Sequence, residues 1–104
     1  MDIKLIRKKI ESREYRFTFH GFERCVERRI SPEEVKSVIL IGRIIKEYPA
    51  GKYGPSCLIC GITEEGKTLH VQCSIDPVWV ITAYDPTLSP DEWDETFTRT
   101  RMKQ

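Results

Sequence analysis

The N-terminal part of the chain places its apolar residues at helical spacing. Ile3, Ile6 and Ile10 recur every three or four positions, which predicts a first helix over about residues 2–13. The segment Tyr15–Phe19 then combines aromatic residues and threonine, which favour extended backbone, and it predicts a short extended link. A second helical pattern follows directly after this link.

The second helix is predicted over about residues 20–29. Phe22, Val26 and Ile30 fall on one stripe of that helix, and we expect this stripe to be buried. A separate polar stripe away from it comprises His20, Arg24 and Arg28.

The clearest helix start in the chain lies at Ser31. Ser31 can cap the helix, Pro32 suits its first position, and Glu34 completes a capping box. Apolar residues follow until Gly42, which can end the helix. A third helix is therefore predicted over about residues 32–41.

After Gly42 the pattern changes to that of β-strands. The predicted strands are 44–48, 56–63, 67–75 and 78–84, followed by a short helix from Ser89 through Trp93. The fold class is therefore α+β, with N-terminal helices packed on one face of a four-stranded antiparallel meander sheet. We expect a single domain over 1–104, with a helical part at about 1–42, a sheet at about 43–86 and a C-terminal helix and tail at about 89–104.

The hairpin loops predict the register of the sheet. A three-residue loop at Glu64–Gly66 places Cys57 opposite Cys73. A second three-residue loop at residues 76–78 places His70 opposite Tyr84 and Gln72 opposite Thr82, and it brings Trp79, Ile81 and Ala83 to the apolar face. An open, mixed face should then carry His70, Gln72, Thr82 and Tyr84.

The net charge of +1 is a sum of unlike segments. Residues 1–30 hold nine basic and five acidic residues, residues 76–95 hold six acidic residues and no basic one, and residues 96–104 hold three basic ones. The basic parts can attract an anionic ligand such as RNA, although solvated helix faces would explain them equally well. The longest strictly apolar run is Val38–Ile41, and the N-terminus lacks a signal-peptide pattern, so we expect a cytoplasmic protein without a membrane partner.

The four cysteines suggest no metal site. Cys57 and Cys60 have the C-x-x-C spacing of a zinc knuckle, but the two residues between them favour a strand. Positions three apart on a strand point to opposite faces. We therefore expect neither a zinc ion nor a structural disulfide, and no cofactor.

Several residue types suit cleavage of RNA without a metal. Such cleavage needs a base for the ribose 2′-hydroxyl, an acid for the leaving 5′-oxygen and cations for the phosphate. His70 and Tyr84 are candidates for acid and base, although they could simply form local hydrogen bonds. His20 could contact RNA or anchor the start of its helix. The cationic candidates are Arg24, Arg28, Arg99 and Arg101, and the neutral RNA-contact candidates are Gln72 and Thr82.

Motifs along most of the chain resemble one family of small bacterial proteins. They include His20-x3-Arg24-x3-Arg28, Ile45-x-Glu47-Tyr48-Pro49, Leu69-His70-Val71 and Val80-Ile81-Thr82-Ala83-Tyr84. Together they are similar to domain-of-unknown-function family 4258, whose members resemble RelE-like toxins of the barnase-type ribonuclease superfamily. The resemblance implies motif positions at His20, Arg24, Glu47, His70, Thr82, Tyr84 and Arg101.

The resemblance implies a toxin of a bacterial toxin–antitoxin pair. The leading hypothesis is a metal-independent endoribonuclease, a hydrolase in which His70 is the general base or acid and Tyr84 positions or protonates. Arg24 and His20 would bind the scissile phosphate. One alternative is a non-catalytic module of RelE-like fold that binds a zinc-finger antitoxin-type protein through the acidic segment 76–95. Another is RNA binding without cleavage.

Overall fold

The computed structural model describes residues 2–100, and within them it contains three α-helices and one five-stranded sheet. The α+β class is confirmed. The helices are α1 (Ile3–Glu11), α2 (Phe19–Glu27) and α3 (Pro32–Ile41), and the strands are β1 (Tyr15–Phe17), β2 (Arg43–Tyr48), β3 (Ser56–Ile62), β4 (Thr68–Ser74) and β5 (Val78–Tyr84).

The sheet has the strand order β1-β5-β4-β3-β2. Strands β2 to β5 form the predicted antiparallel meander, but β1 adds a fifth strand that pairs in parallel with β5, with Arg16 opposite Trp79. The prediction of a four-stranded, fully antiparallel sheet is therefore wrong, because the sheet has a fifth strand and one parallel pair. A strand of three residues has too few positions to show its own alternation, and its partner lies far away in sequence.

The hydrophobic core lies between the helices and one face of the sheet. Ile6 and Ile10 of α1 and Val35, Val38 and Ile39 of α3 are fully buried. They meet the inward residues of the strands, namely Cys57, Ile59, Leu69, Val71, Cys73, Val78, Val80 and Ala83.

The predicted hairpin registers are confirmed at most positions. Cys57 pairs with Cys73, and both Gln72–Thr82 and His70–Tyr84 are direct cross-strand pairs. The register then shifts, because Val80 rather than Ile81 lies opposite Cys73. Ile81 is thus the extra residue of a β-bulge.

This bulge corrects part of the predicted apolar face. Ala83 faces the core as expected, whereas Trp79 and Ile81 do not belong to the core cluster. Val78 and Val80 take their place, since one extra residue reverses the alternation for the first half of β5. The ring of Trp79 instead lies 6.2 Å from the ring of Tyr53, between centroids.

Helix α3 begins and ends as its sequence predicts. The backbone N–H of Glu34 donates to Ser31 Oγ at 3.1 Å, and the N–H of Ser31 donates to Glu34 Oε1 at 3.0 Å, which completes the capping box. At the other end Arg7 of α1 donates to the carbonyl oxygens of Ile39 and Gly42. These bonds fasten α1 to the end of α3, whose last carbonyls lack helical partners.

Helix α2 is rolled relative to the sequence prediction. Its buried residues are Gly21 and Cys25, whereas Phe22 and Val26 are exposed. Ile30, which follows the helix, is buried as expected. The reason is Gly21, which lets the helix backbone approach β5 closely: a Cβ added there would lie 2.5 Å from the carbonyl oxygen of Val80.

Helix α2 also covers an edge of β5 that β1 leaves open. Beyond Val80, where β1 ends, Thr18 Oγ1 donates to the carbonyl oxygen of Ile81 at 3.4 Å. Farther along, Arg28 Nη1 donates to the carbonyl oxygen of Ala83 at 2.8 Å. Strand and helix together thus cover this side of β5.

The predicted C-terminal helix does not form. Residues Pro86–Leu88 and Pro90–Glu92 form two 3₁₀ turns, and a turn-rich segment closed by the β-bridge between Trp93 and Thr100 follows. The cap signals at Ser89 lack a following apolar stripe that a longer helix could bury, so only the single turn Pro90–Glu92 forms after Ser89.

Within residues 2–100, none of the helices has the length and apolar character needed to span a bilayer.

Candidate functional site

His70 and Tyr84 form a cross-strand pair on the sheet face opposite the core. They lie directly opposite each other on β4 and β5, and their ring centroids are 5.2 Å apart in an edge-to-face arrangement. Nδ1 of His70 lies 3.2 Å from the hydroxyl oxygen of Tyr84. The structure therefore brings together the two residues that the sequence singled out for acid–base chemistry.

The other ring nitrogen of His70 is also occupied. Nε2 lies 2.6 Å from the carbonyl oxygen of Phe97, which can only accept a hydrogen bond. Nε2 therefore carries the hydrogen of the neutral ring, and Nδ1 accepts from the Tyr84 hydroxyl. Burial lowers the pKa of His70, so the neutral ring is the form present at pH 7.

A C-terminal strap, residues 93–100, covers His70. The ring of Trp93 meets that of His70 edge-on, with centroids 4.4 Å apart, and Trp93 forms a β-bridge with Thr100. Within the strap, the carboxylate of Asp94 accepts from the backbone N–H groups of Thr96 and Thr98 at 3.1 Å each. As a result, His70 is 0% exposed, and the part of the sheet face that we expected to be open is closed over it.

Tyr84 is less enclosed than His70 and faces a groove. Burial raises the pKa of Tyr84 to about 12, although nearby Arg28 acts in the opposite direction. The phenol therefore keeps its proton at neutral pH. The groove has a volume of about 650 Å³ and lies between the end of α2 and the residues that lead into the strap.

The groove combines Tyr84 with groups of both charges. Arg28 and Lys67 supply cationic groups, and Glu27, Asp85 and Glu92 supply carboxylates. Arg28 is held in place because its Nη1 donates to the carbonyl oxygen of Ala83 at 2.8 Å and lies 3.4 Å from Thr82 Oγ1. The groove thus holds a phenol, two cations and three carboxylates; the cations can bind a phosphate group, and the phenol and carboxylates can exchange protons with a substrate.

Gln72 and Thr82 lie on the same sheet face, next to the His70–Tyr84 pair. They are half-buried, and Gln72 Nε2 donates to Ser56 Oγ at 3.2 Å. Lys46 of β2, opposite Leu58, lies at the end of the same row of residues across the sheet. This row remains partly accessible beside the strap.

The remaining sequence candidates do not join the pair. His20 is exposed on α2, and Arg24 forms an ion pair with Glu27 of the same helix. Within residues 2–100, neither His20 nor Arg24 hydrogen-bonds to His70 or Tyr84. Arg99 is exposed on the strap, and Arg101 lies outside the described residues.

Four charged groove residues were missed by the sequence reasoning, namely Glu27, Lys67, Asp85 and Glu92. Glu92 was interpreted as part of a helix start, and Lys67 as the first residue of a strand. Both are brought to Tyr84 by contacts between segments distant in sequence, so local pattern offered no signal for them. Lys67 also lies 3.6 Å from the Glu34 carboxylate, between Nζ and Oε2.

The C-x-x-C cysteines point away from each other. Cys57 pairs with Cys73 within the core, whereas Cys60 lies opposite His70 on the other face. Among residues 2–100, no cluster of three or more histidine, cysteine or carboxylate side chains has an arrangement that could hold a metal ion.

Comparison with known proteins gives one match. A family model described as Domain of unknown function (DUF4258) matches residues 17–85, from the last residue of β1 to the first residue after β5. No curated protein and no solved structure matches the chain.

Proposed function

The chain belongs to the DUF4258 family, and from this premise together with the groove at Tyr84 we propose that it is a metal-independent endoribonuclease. In this proposal it is the toxin of a bacterial toxin–antitoxin pair and acts on RNA in the cytoplasm. The RelE-like resemblance of the family supports this assignment.

The observation that carries the proposal is the position of Tyr84 between His70 and Arg28. Its hydroxyl is oriented by Nδ1 of His70 at 3.2 Å, and it shares the groove with the guanidinium of Arg28. A proton donor placed beside a fixed cation suits a phosphodiester whose negative charge grows in the transition state.

The proposed reaction is attack of the ribose 2′-hydroxyl oxygen on the adjacent phosphorus. The bond from phosphorus to the 5′-oxygen breaks, which yields a 2′,3′-cyclic phosphate and a 5′-hydroxyl. Glu92 accepts the proton of the 2′-hydroxyl. The O–H of Tyr84, which in the free protein donates to Nδ1 of His70, turns toward the substrate and gives its proton to the leaving 5′-oxygen. A phenol is more acidic than a ribose hydroxyl, so this donation remains favourable although the pKa of Tyr84 is raised.

The roles of the other candidates follow from their positions. Arg28 and Lys67 contact the phosphate, since both line the groove. His70 is a positioning residue because it is fully buried and reaches the substrate only through Tyr84. His20, Arg24, Gln72, Thr82 and Arg99 remain proposed RNA contacts outside the groove.

Cleavage of a labelled single-stranded RNA in the presence of EDTA tests the proposal. The wild-type protein should yield products with a cyclic phosphate, and Tyr84→Phe should lower the rate by about 100-fold or more. Tyr53→Phe is the matched control, because Tyr53 lies on Trp79 and does not line the groove. RNA that stays intact with folded wild-type protein at high concentration would disprove the proposal.

A non-catalytic module is the second candidate, and the strap over His70 favours it. A histidine with both nitrogens bound inside the protein can be purely structural. In this case the protein would bind a zinc-finger antitoxin-type partner through the acidic segment 76–95, or it would bind RNA without cleaving it. RNA binding that weakens steeply with salt, with no product formed, would identify the latter.

A further inference from the structure

Helix α2 presents an apolar stripe to solvent. Phe19, Phe22 and Val26 are spaced by three and four residues, so they share one side of the helix. Their exposed fractions are 80%, 56% and 62%. Two exposed phenylalanines one turn apart form a patch rather than scattered surface residues.

The packing of α2 fixes this exposure. The opposite side of the helix carries Gly21 and Cys25, and the absent side chain of Gly21 is what allows close contact with β5. Rolling the helix to bury Phe22 would put a large side chain at the position of Gly21, where even one added Cβ would lie 2.5 Å from the Val80 carbonyl oxygen. The stripe therefore cannot be covered by a rotation of α2.

The area of the stripe fits one helix rather than a second copy of this chain. Fully buried phenylalanines contribute about 150–250 Å² each, so the exposed fractions of the three residues offer on the order of 350 Å². A stable protein–protein interface buries about 800 Å² on each side. The stripe alone provides less than half of that area.

The charges beside the stripe also disfavour self-association. Glu23 and Glu27 are exposed one turn apart on α2, next to the stripe, and Glu27 is paired with Arg24. Within residues 2–100, Glu23 forms no ion pair. Two copies packed with antiparallel α2 helices would bring their Glu23 carboxylates toward each other, whereas a cationic partner would be attracted.

We propose that the stripe of α2 binds a cationic amphipathic helix of another protein. The partner helix would carry apolar residues at positions i, i+3 and i+7 and lysine or arginine beside them. Its apolar residues would pack on Phe19, Phe22 and Val26, and its cations would face Glu23. Phe19, Phe22 and Val26 do not line the groove at Tyr84, although the neighbouring Glu27 does, and the proposal does not depend on RNA cleavage.

Two helical peptides of about 14 residues test the proposal, one with leucines at i, i+3 and i+7 flanked by lysines and one with the same leucines flanked by glutamates. Fluorescence anisotropy measures binding to the full chain, and amide chemical shifts locate it. The lysine peptide should bind at α2, at least about tenfold more tightly than the glutamate peptide.

Substitutions distinguish peptide binding at the α2 stripe from binding to other exposed apolar residues. Phe22→Ser should weaken binding of the lysine peptide by about tenfold or more, while Leu5→Ser, a change of an exposed leucine on α1, should leave it unchanged. Glu23→Lys should reverse the preference between the two peptides.

Equal binding of both peptides, or binding that Phe22→Ser leaves unchanged, would overturn the proposal. A dimer that forms with concentration and is abolished by Phe22→Ser would overturn it in favour of a second copy as the occupant. Because Phe22 does not line the groove, loss of peptide binding should leave RNA cleavage intact, and the two proposals can fail separately.

Discussion

The hydroxyl of Tyr84 is held by a histidine that solvent does not reach. Nδ1 of His70 lies 3.2 Å from Tyr84 Oη, while its Nε2–H donates to the carbonyl oxygen of Phe97. One imidazole thus connects the groove on one side to the C-terminal strap on the other. Changes at His70 should therefore affect both.

His70→Ala should destabilise the protein by about 3 kcal/mol, because it leaves a cavity and removes the partners of the Tyr84 hydroxyl and the Phe97 carbonyl. Urea denaturation measures the free energy of unfolding. Gln72→Ala is the control, since Gln72 is half-buried on the same strand and should cost less than half as much. A loss below about 1 kcal/mol for His70→Ala would contradict the fully buried position of His70.

Acidification should weaken the fold through His70. Burial lowers the pKa of His70 in the folded protein below the unfolded value of about 6.5. Above that pH the imidazole is neutral in both states, and His70 contributes fully to the free energy of unfolding. As the pH falls from 6.5 toward the folded pKa, the unfolded chain binds a proton that the folded chain does not. Stability should then decrease by up to about 1.4 kcal/mol per pH unit.

Urea midpoints at pH 7.5 and 5.5 measure this loss, and His70→Gln serves as the reference because it cannot titrate. The difference in stability between the two pH values should be smaller in His70→Gln than in the wild type. An equal difference in both proteins would assign the acid sensitivity to other groups.

The cysteines should be unreactive in the folded protein. All four are buried, and burial raises the pKa of the Cys25 and Cys60 thiols. The pKa of Cys73 is raised by its hydrogen bond to Cys57 and by burial, whereas the same hydrogen bond lowers the pKa of Cys57. Cys57 is protected instead by its position in the core, where it is 0% exposed and out of reach of a reagent. Since the thiolate is the reactive form, a thiol reagent at pH 7.5 should label all four only after unfolding in urea. Rapid labelling of a thiol in the native protein would contradict this packing.

Gly21→Ala should destabilise the protein by about 2 kcal/mol, because the added methyl group would meet the carbonyl oxygens of Val80 and Ile81 at 2.5 and 2.9 Å. At an exposed helix position the same change would stabilise by up to about 1 kcal/mol. Thermal unfolding with Glu23→Ala as a control on the exposed side of α2 separates the two effects. An unchanged or raised Tm for Gly21→Ala would show that α2 can move away from β5.

The features that the sequence predicted correctly are those that depend on nearby residues. The capping box of Ser31 and Glu34 involves residues three apart, and the pairing of Cys57 with Cys73 follows from the length of one loop. The His70–Tyr84 pair was predicted from the loop at 76–78, and it forms because the bulge at Ile81 offsets a one-residue difference in register next to that loop.

The features that were missed depend on contacts between distant segments. The side of α2 that faces the sheet is set by Gly21, because its lack of a side chain lets the helix pack closely on β5. This close packing leaves Phe22 and Val26 exposed although their spacing predicted burial. The strap over His70 arises from residues beyond the last strand, whose polar sequence has no regular period. The bulge at Ile81 depends on how β5 meets both of its neighbours.

The contacts of α2 with β5 have a consequence for solubility during synthesis and storage. Open strand edges allow sheets of separate molecules to join, but here β1, Thr18 and Arg28 occupy that side of β5. At the opposite side of the sheet, β2 carries a bulge at Ile44–Lys46 and exposed charges at Lys46 and Glu47. Within residues 2–100, the sheet therefore offers no long flat edge on which amyloid-like stacking could begin.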